Sequence, residues 1–116
     1  MEQLNRIELR GIVGNVKRQI ISDKEMARIN VATSRAYRDK SGAAVIETTW
    51  HNVVIWDVER IADVQALEKG AKVRVEGRVR TQKFTGADEI ERTQYEVVAT
   101  KVSAIENSDT LQYEMN

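Results

Sequence analysis

Basic side chains are concentrated in one short stretch of the sequence. Between positions 69 and 83 there is one acidic residue, Glu76, and the basic residues are Lys69, Lys72, Arg74, Arg78, Arg80 and Lys83. Exposed charges more than about 8 to 10 Å apart are largely screened at physiological salt, so acidic residues elsewhere do not cancel this patch. The stretch therefore predicts a local cationic surface that could contact phosphates.

The same stretch alternates between apolar and basic residues. Val73, Val75, Gly77 and Val79 fall on one face of an extended chain, and the other face has Lys72, Arg74, Glu76, Arg78 and Arg80. If this strand continues past Thr81 without a bulge, Phe84 joins the basic face. Such a stripe is most often a solvated face, but its near-lack of acids favours a phosphate track.

Two tryptophans lie six positions apart in a segment rich in Thr, Val and Ile. In a strand over 46–56, Trp50, Asn52, Val54 and Trp56 share one face, and His51, Val53 and Ile55 share the other. A Trp in such a strand is usually core. Asn52 favours an exposed pair, whereas Val54 leaves open that one Trp is packed. Exposed rings beside cations suit single-stranded nucleic acid, whose bases stack on aromatics at about 1 to 3 kcal/mol each.

The remaining periodicity predicts an all-β domain with one short helix. The predicted strands cover 7–13, 26–33, 46–56, 72–81 and 94–105, and the helix, capped by Asp57 and ended by Gly70, lies between the third and fourth strands. We expect a bend or bulge at Gly11, a turn over 38–42 and a mobile loop over 85–93. Three strands, a helix and two strands, with no proline, favour the five-stranded Greek-key barrel of an oligonucleotide/oligosaccharide-binding (OB) fold over a sandwich or a βαβ sheet.

Composition limits the chemistry available. The 116 residues contain no Cys and one His, which disfavours thiol catalysis and thiolate or histidine metal sites. The length suits one domain, and no apolar run is long enough to span a membrane. The N-terminus lacks a secretory pattern, so we expect a cytoplasmic protein that needs no cofactor or metal.

The balanced charge is unevenly distributed. The chain has 18 basic and 18 acidic residues. Residues 106–116 contain three acids and no base, which leaves an excess of basic residues in 1–105. We therefore predict a binding domain over 1–105 and a short flexible tail over 106–116.

Several segments, in order, resemble bacterial single-stranded DNA-binding protein. The resemblance covers residue 5 to about residue 105 and is carried by Asn5–Gly14, Val31–Lys40, Thr49–Trp56, Lys69–Gly70, Val75–Phe84 and Tyr95–Ala99. It implies a homotetramer of OB-fold barrels around which single-stranded DNA wraps without sequence preference during replication, recombination and repair. A nucleoid-associated location in the cytoplasm follows from that role.

The resemblance also assigns roles to individual residues. It implies base stacking by Tyr37, Trp50, Trp56 and Phe84, and phosphate contacts by Arg38, Lys40, Lys69, Arg80 and Lys83. It places His51 at a subunit interface. The strand faces independently support Trp50, Trp56 and Phe84. Tyr37 depends on the resemblance, because alternation with Ile29 and Val31 turns it inward unless a bulge intervenes.

The sequence departs from the family pattern at its end. Family members usually continue into a long linker with an acidic, proline-containing tip that recruits replication and repair enzymes, whereas this chain ends at Leu111–Asn116. We therefore expect any replication or repair partner not to dock through such a tip. The segment 15–23 also lacks the usual Asp-Pro turn.

Three other functions compete with this prediction. One is a dimeric primosomal-type OB protein that binds single-stranded DNA and a helicase. Another is a metal-dependent nuclease, which is disfavoured because Asp39, Asp57 and Glu76 form no recognisable pair. The third is an RNA-binding cold-shock barrel, which sequence alone does not separate from a DNA binder. We predict that the protein is not an enzyme.

Overall fold

A computed structural model describes residues 2–58 and 68–105, and within them five strands close into a barrel. The strands are β1 (Ile7–Ile21), β2 (Lys24–Arg38), β3 (Ala44–Trp56), β4 (Lys72–Thr85) and β5 (Glu91–Ala104). They pair in the order β1-β2-β3-β5-β4, and β4 pairs with β1 to close the barrel. The predicted all-β, five-stranded barrel is confirmed. The predicted helix falls mainly on 59–67, and it and the predicted tail over 106–116 lie outside the described residues.

The core is built from the inward-facing residues of all five strands. It contains Leu9 and Val13 of β1, Ile29 and Val31 of β2, Val53 and Ile55 of β3, Val73 and Val75 of β4, and Val97 and Val102 of β5. Val73 and Val75 are fully buried, as the alternation of β4 predicts. Burial of these valines turns the basic residues of β4 to the outside of the barrel.

The first hairpin is longer than its apolar pattern indicates. β1 runs to Ile21, well beyond its predicted end at Val13, and β2 begins at Lys24, shortly before its predicted start at Met26. Ser22 and Asp23 connect them with φ of 51° and 66°. A two-residue hairpin turn with both φ positive matches the right-handed twist of the strands. Beyond Val16, which packs against the core, the added part of β1 is exposed on both faces, so periodicity could not reveal it.

The irregularity in β1 lies after the predicted position at Gly11. The β1–β2 register shifts between Val13 and Val16, so the bulge prediction was misplaced. Gly11 instead permits a close strand approach: a Cβ there would lie 2.1 Å from the carbonyl oxygen of Ala32. The absence of a side chain is needed for contact between backbones.

The predicted mobile loop over 85–93 is partly strand, and only 86–90 form the connection. β4 continues to Thr85 and β5 begins at Glu91, with Thr85 paired to Glu91. The connecting turn has hydrogen bonds from Gly86 N to Ile90 O (3.2 Å) and from Glu89 N to Gly86 O (3.0 Å). The prediction failed because a polar ribbon exposed on both faces has the composition of a loop.

Candidate nucleic-acid interface

Both tryptophans lie on the outside of the barrel. β2 and β3 pair without a shift from Met26–Trp56 to Arg38–Ala44, and Val53 and Ile55 point into the core. Trp50 and Trp56 are therefore on the opposite face, where they are 59% and 45% exposed. The alternative that one tryptophan is packed in the core is wrong.

Trp50 lies across the first two strands. It is opposite Ala32 on β2, which is in turn opposite Ile12 on β1. A Cβ on Gly14 would lie 2.5 Å from Cζ3 of Trp50, so the indole rests directly on the Gly14 backbone. Small residues at positions 14 and 32 leave room for the ring.

Phe84 joins the basic face as predicted. The β4–β5 register shifts between Glu76 and Gly77, where the partner position jumps from Lys101 to Ala99. The extra residue, Thr100, belongs to β5, so the alternation of β4 continues unbroken. Phe84 therefore faces the same way as Arg78 and Arg80, and its side chain is 43% exposed.

Tyr37 is on the other face of the β2–β3 hairpin. It pairs with Val45 in a ladder with no bulge, so it shares the side of Ile29 and Val31. The hairpin projects beyond the core there, which leaves Tyr37 partly exposed. The Arg35 guanidinium lies 4.8 Å from its ring centroid, within range of a cation–π contact. The structure thus separates Tyr37 from the face of the tryptophans.

Asp39 orders the turn that presents Arg38 and Lys40. Its Oδ1 accepts hydrogen bonds from the hydroxyl of Ser41 (2.6 Å), from Ser41 N (2.9 Å) and from Ala43 N (3.0 Å). These bonds, with that of the Ser41 hydroxyl first, hold the pKa of Asp39 below its usual value. Arg38 and Lys40 are exposed, and Nη1 of Arg38 donates to the carbonyl of Gly42 (3.2 Å).

The cations between positions 69 and 83 fall into two groups. Within the described part of the chain, exposed Lys69 and Arg78 have no ion pair, and exposed Lys83 has a loose one, with its Nζ 3.6 Å from Glu91 Oε1. Lys72, Arg74 and Arg80 are partly buried. Arg74 and Arg80 are held by carboxylates, which reduces their availability to an external anion.

Arg74 is bound by two glutamates. Its Nε is 2.7 Å from Glu8 Oε1, and its Nη2 is 2.5 Å from Glu76 Oε1. The hydrogen bond that Arg74 donates to Glu8 is the main cause that raises the pKa of Arg74, and the same bond lowers the pKa of Glu8. Glu76, the one acid in the basic stretch, therefore neutralises its neighbour on the strand.

Two charged residues that sequence reasoning missed lie among the aromatic residues. Arg28, opposite Val54, reaches across β3 so that its Nη1 is 3.2 Å from Oε2 of Glu96 on β5. Nε and Nη2 of Arg80 bind the other oxygen, Oε1. Glu96 is only 5% exposed and Val54 is fully buried, although both are on the outer side of their strands. Only the pairing of β3 with β5 could reveal this contact.

His51 lies on the opposite face of β3 from the tryptophans. Its Nε2 is 2.8 Å from the hydroxyl of Thr33, its neighbour on β2. Burial disfavours the imidazolium and lowers the pKa of His51 below its usual value. The ring is therefore neutral at pH 7.

Acidification should destabilise the protein through His51. A folded-state pKa below the unfolded value of about 6.5 means that the unfolded chain binds the proton first. The contribution of His51 to stability is therefore present above that pH and is lost as the pH falls below it. His51 is the only histidine. Denaturation of the wild type and His51→Gln at several pH values measures this, and the variant should lose most of the pH dependence in that window. An unchanged dependence in His51→Gln would contradict the assignment.

Residues 2–58 and 68–105 contain neither a candidate metal site nor a candidate membrane-spanning helix. No three His, Asp or Glu side chains lie together in a group that could hold a metal ion. No helix in this part of the chain has the length and apolar character needed to cross a membrane.

Solved structures with the same architecture include single-stranded DNA-binding proteins. A Plasmodium falciparum SSB in complex with ssDNA superposes with a TM-score of 0.73 at 24% identity, covering 91% of this chain and 98% of that one. A deletion mutant of the Thermus aquaticus single-stranded DNA binding protein superposes with a TM-score of 0.72 at 24% identity, covering 90% of this chain and 51% of that one. At this identity the likeness shows the fold alone, which is the predicted OB barrel.

Sequence relatives carry the comparison further. The single-stranded DNA-binding protein of Neisseria meningitidis serogroup A is 34% identical, over 96% of this chain and 67% of that relative. Single-stranded DNA-binding protein 1 of Chlorobaculum tepidum is also 34% identical, over 91% of this chain and 72% of that relative. The family model described as "Single-strand binding protein family" matches residues 4–105. With its barrel, exposed tryptophans and basic β4, the chain belongs to the single-strand binding protein family.

Proposed function

We propose that this protein binds single-stranded DNA without sequence preference, with bases stacked on Trp50, Trp56 and Phe84. The observation that carries the proposal is the pair of exposed tryptophans on the outside of a closed barrel, at 59% and 45% exposure. Every base has a face that can stack on such a ring, so this mode tolerates any sequence. The relatives named single-stranded DNA-binding protein support the same function.

The basic side chains differ in how available they are to phosphates, because some are exposed and others are already paired with carboxylates. Arg38, Lys40, Lys69, Arg78 and Lys83 are exposed and are the main phosphate contacts of the proposal. Lys72, Arg74 and Arg80 are partly buried, and the latter two bind glutamates. Arg74 and Arg80 contribute less, because a phosphate must compete with a carboxylate already in place.

Tyr37 belongs to the proposal as a separate stacking position. It lies on the opposite side of the β2–β3 hairpin from Trp50, so a strand that uses both must pass around the edge or tip of that hairpin. The exposed turn with Arg38 and Lys40 provides cations along this route. In this proposal the DNA wraps around the hairpin.

The assembly we propose is a homotetramer with His51 at a subunit contact. It coats single strands during replication, recombination and repair in the cytoplasm, without enzymatic activity. Its proposed partners include replication or repair proteins. The family match favours this function over the primosomal-type dimer. Sedimentation separates the two assemblies, and competition with matched RNA tests the preference for DNA.

Titration with oligo-dT should quench tryptophan fluorescence, with much weaker binding of a duplex of equal length. The affinity should fall with salt, at a log–log slope of about −0.7 per phosphate neutralised. Lys83→Ala should make that slope shallower by about 0.7 because one phosphate contact is lost. Arg18→Ala is the control, since Arg18 is opposite Ala27 on the core side of the first hairpin and pairs with Glu25 at 3.3 Å. The absence of both quenching and salt dependence would reject the function.

A further inference from the structure

Glu96 and its two arginines lie at the centre of the aromatic face. Val54 of β3 is level with Val98 of β5 in a parallel ladder, which places Glu96 level with Asn52, between the two tryptophans. Arg80 is opposite Glu96 on β4, four residues before Phe84 and on the same side. We call Arg28, Glu96 and Arg80 the central bridge.

The bridge fixes both guanidinium groups. Glu96 is 5% exposed, and each carboxylate oxygen has an arginine partner, whereas the side chains of Arg28 and Arg80 are 45% and 36% exposed. A buried carboxylate that loses its cations is left as an uncompensated charge, which is strongly unfavourable. A phosphate from solvent that bound either arginine in place of Glu96 would leave part of the buried carboxylate charge uncompensated, which disfavours the exchange.

We propose that Glu96 is a positioning residue that withholds Arg28 and Arg80 from phosphates and presents their guanidinium planes to the bases of bound single-stranded DNA. The inference rests on the proposed function. A guanidinium held flat is a good stacking surface for a planar ring. The bridge thus continues the platform between the tryptophans and Phe84, while its carboxylate cancels one of the two positive charges.

The bridge has a consequence for the salt dependence of binding. Stacking on a guanidinium already paired with a carboxylate releases few counterions, whereas a phosphate contact contributes about 0.7 to the log–log slope. Phosphates are then bound around the bridge, by exposed cations on the same side of β4 such as Arg78. The bases of the bound strand stack over the central bridge itself.

The first test is Glu96→Gln, compared with the wild type and with Glu25→Gln. The amide is isosteric but uncharged, so at least one arginine is released to bind a phosphate. We expect the log–log salt slope for oligo-dT to steepen by about 0.7 or more. When the salt is lowered from ~200 mM to ~50 mM, the affinity of the variant should therefore rise roughly 2.5-fold more than that of the wild type. Glu25→Gln removes the same charge from an Arg18 ion pair away from this face, and should leave the slope unchanged.

The second test is Arg28→Gln, which retains Glu96 with Arg80 and does not depend on the folding of the first variant. We expect weaker binding by a similar factor at every salt concentration, with the wild-type slope. A slope shallower by about 0.7, as for Lys83→Ala, would mean that Arg28 contacts a phosphate and would overturn the proposal. An unchanged or shallower slope in folded Glu96→Gln would overturn it as well. Failure of the wild type to bind would instead reject the proposed function.

Discussion

Trp56→Ala should weaken binding of oligo-dT by about 1 to 3 kcal/mol, or about 5- to 150-fold, without changing the salt slope. The expected loss is large because the indole, 45% exposed, offers one complete stacking surface. It lies outside a closed core, so removing it opens no internal cavity and the barrel should remain folded. Anisotropy of a labelled oligonucleotide measures the affinity, since the substitution removes a fluorophore.

Two variants sharpen this experiment. Trp56→Phe retains a ring and should recover part of the lost affinity. Tyr95→Ala removes an aromatic side chain that is 69% exposed but opposite Thr81, on the other side of the β4–β5 hairpin from Phe84. It should bind like the wild type. Equal losses for Tyr95→Ala and Trp56→Ala would show that exposure alone, and not the shared outer face, determines the effect.

Gly77→Ala should lower the free energy of unfolding by about 1 to 3 kcal/mol or more, as expected for overpacking a core. A Cβ at this position would lie 2.1 Å from the carbonyl oxygen of Val98, which is backbone and cannot rotate away. Gly77 adjoins the shift in the β4–β5 register, where the two strands approach closely. Chemical denaturation at a fixed protein concentration measures the change.

Gly14→Ala is the matched control for Gly77→Ala. The same methyl group added here would meet the ring of Trp50 at 2.5 Å, and a side chain can move where a backbone cannot. We therefore expect a smaller loss of stability but a measurable loss of DNA affinity, because Trp50 is displaced from its place across β1. A Gly14→Ala variant as unstable as Gly77→Ala would contradict this distinction.

The sequence predicted the parts of the fold that depend on local alternation. Val73 and Val75 alternate with basic residues, and a half-buried strand must turn one of these sets inward. The same period placed Trp50, Trp56 and Phe84 on one side of their strands. It failed for the outer halves of the hairpins, such as the end of β1 at Ile21, because a ribbon with two solvated faces has no apolar period.

The sequence by itself therefore determined the basic face of β4 and the shared strand face of the two tryptophans, since each follows from a two-residue period within one strand. The order of the predicted elements indicated the barrel. Tertiary structure alone decided the contacts between strands distant in sequence. It placed Glu96 between Arg28 and Arg80, seated Trp50 on Gly14, and left Tyr37 on the opposite face of its hairpin. The physical reason is that strand register sets which residues meet, and register depends on the closed barrel as a whole.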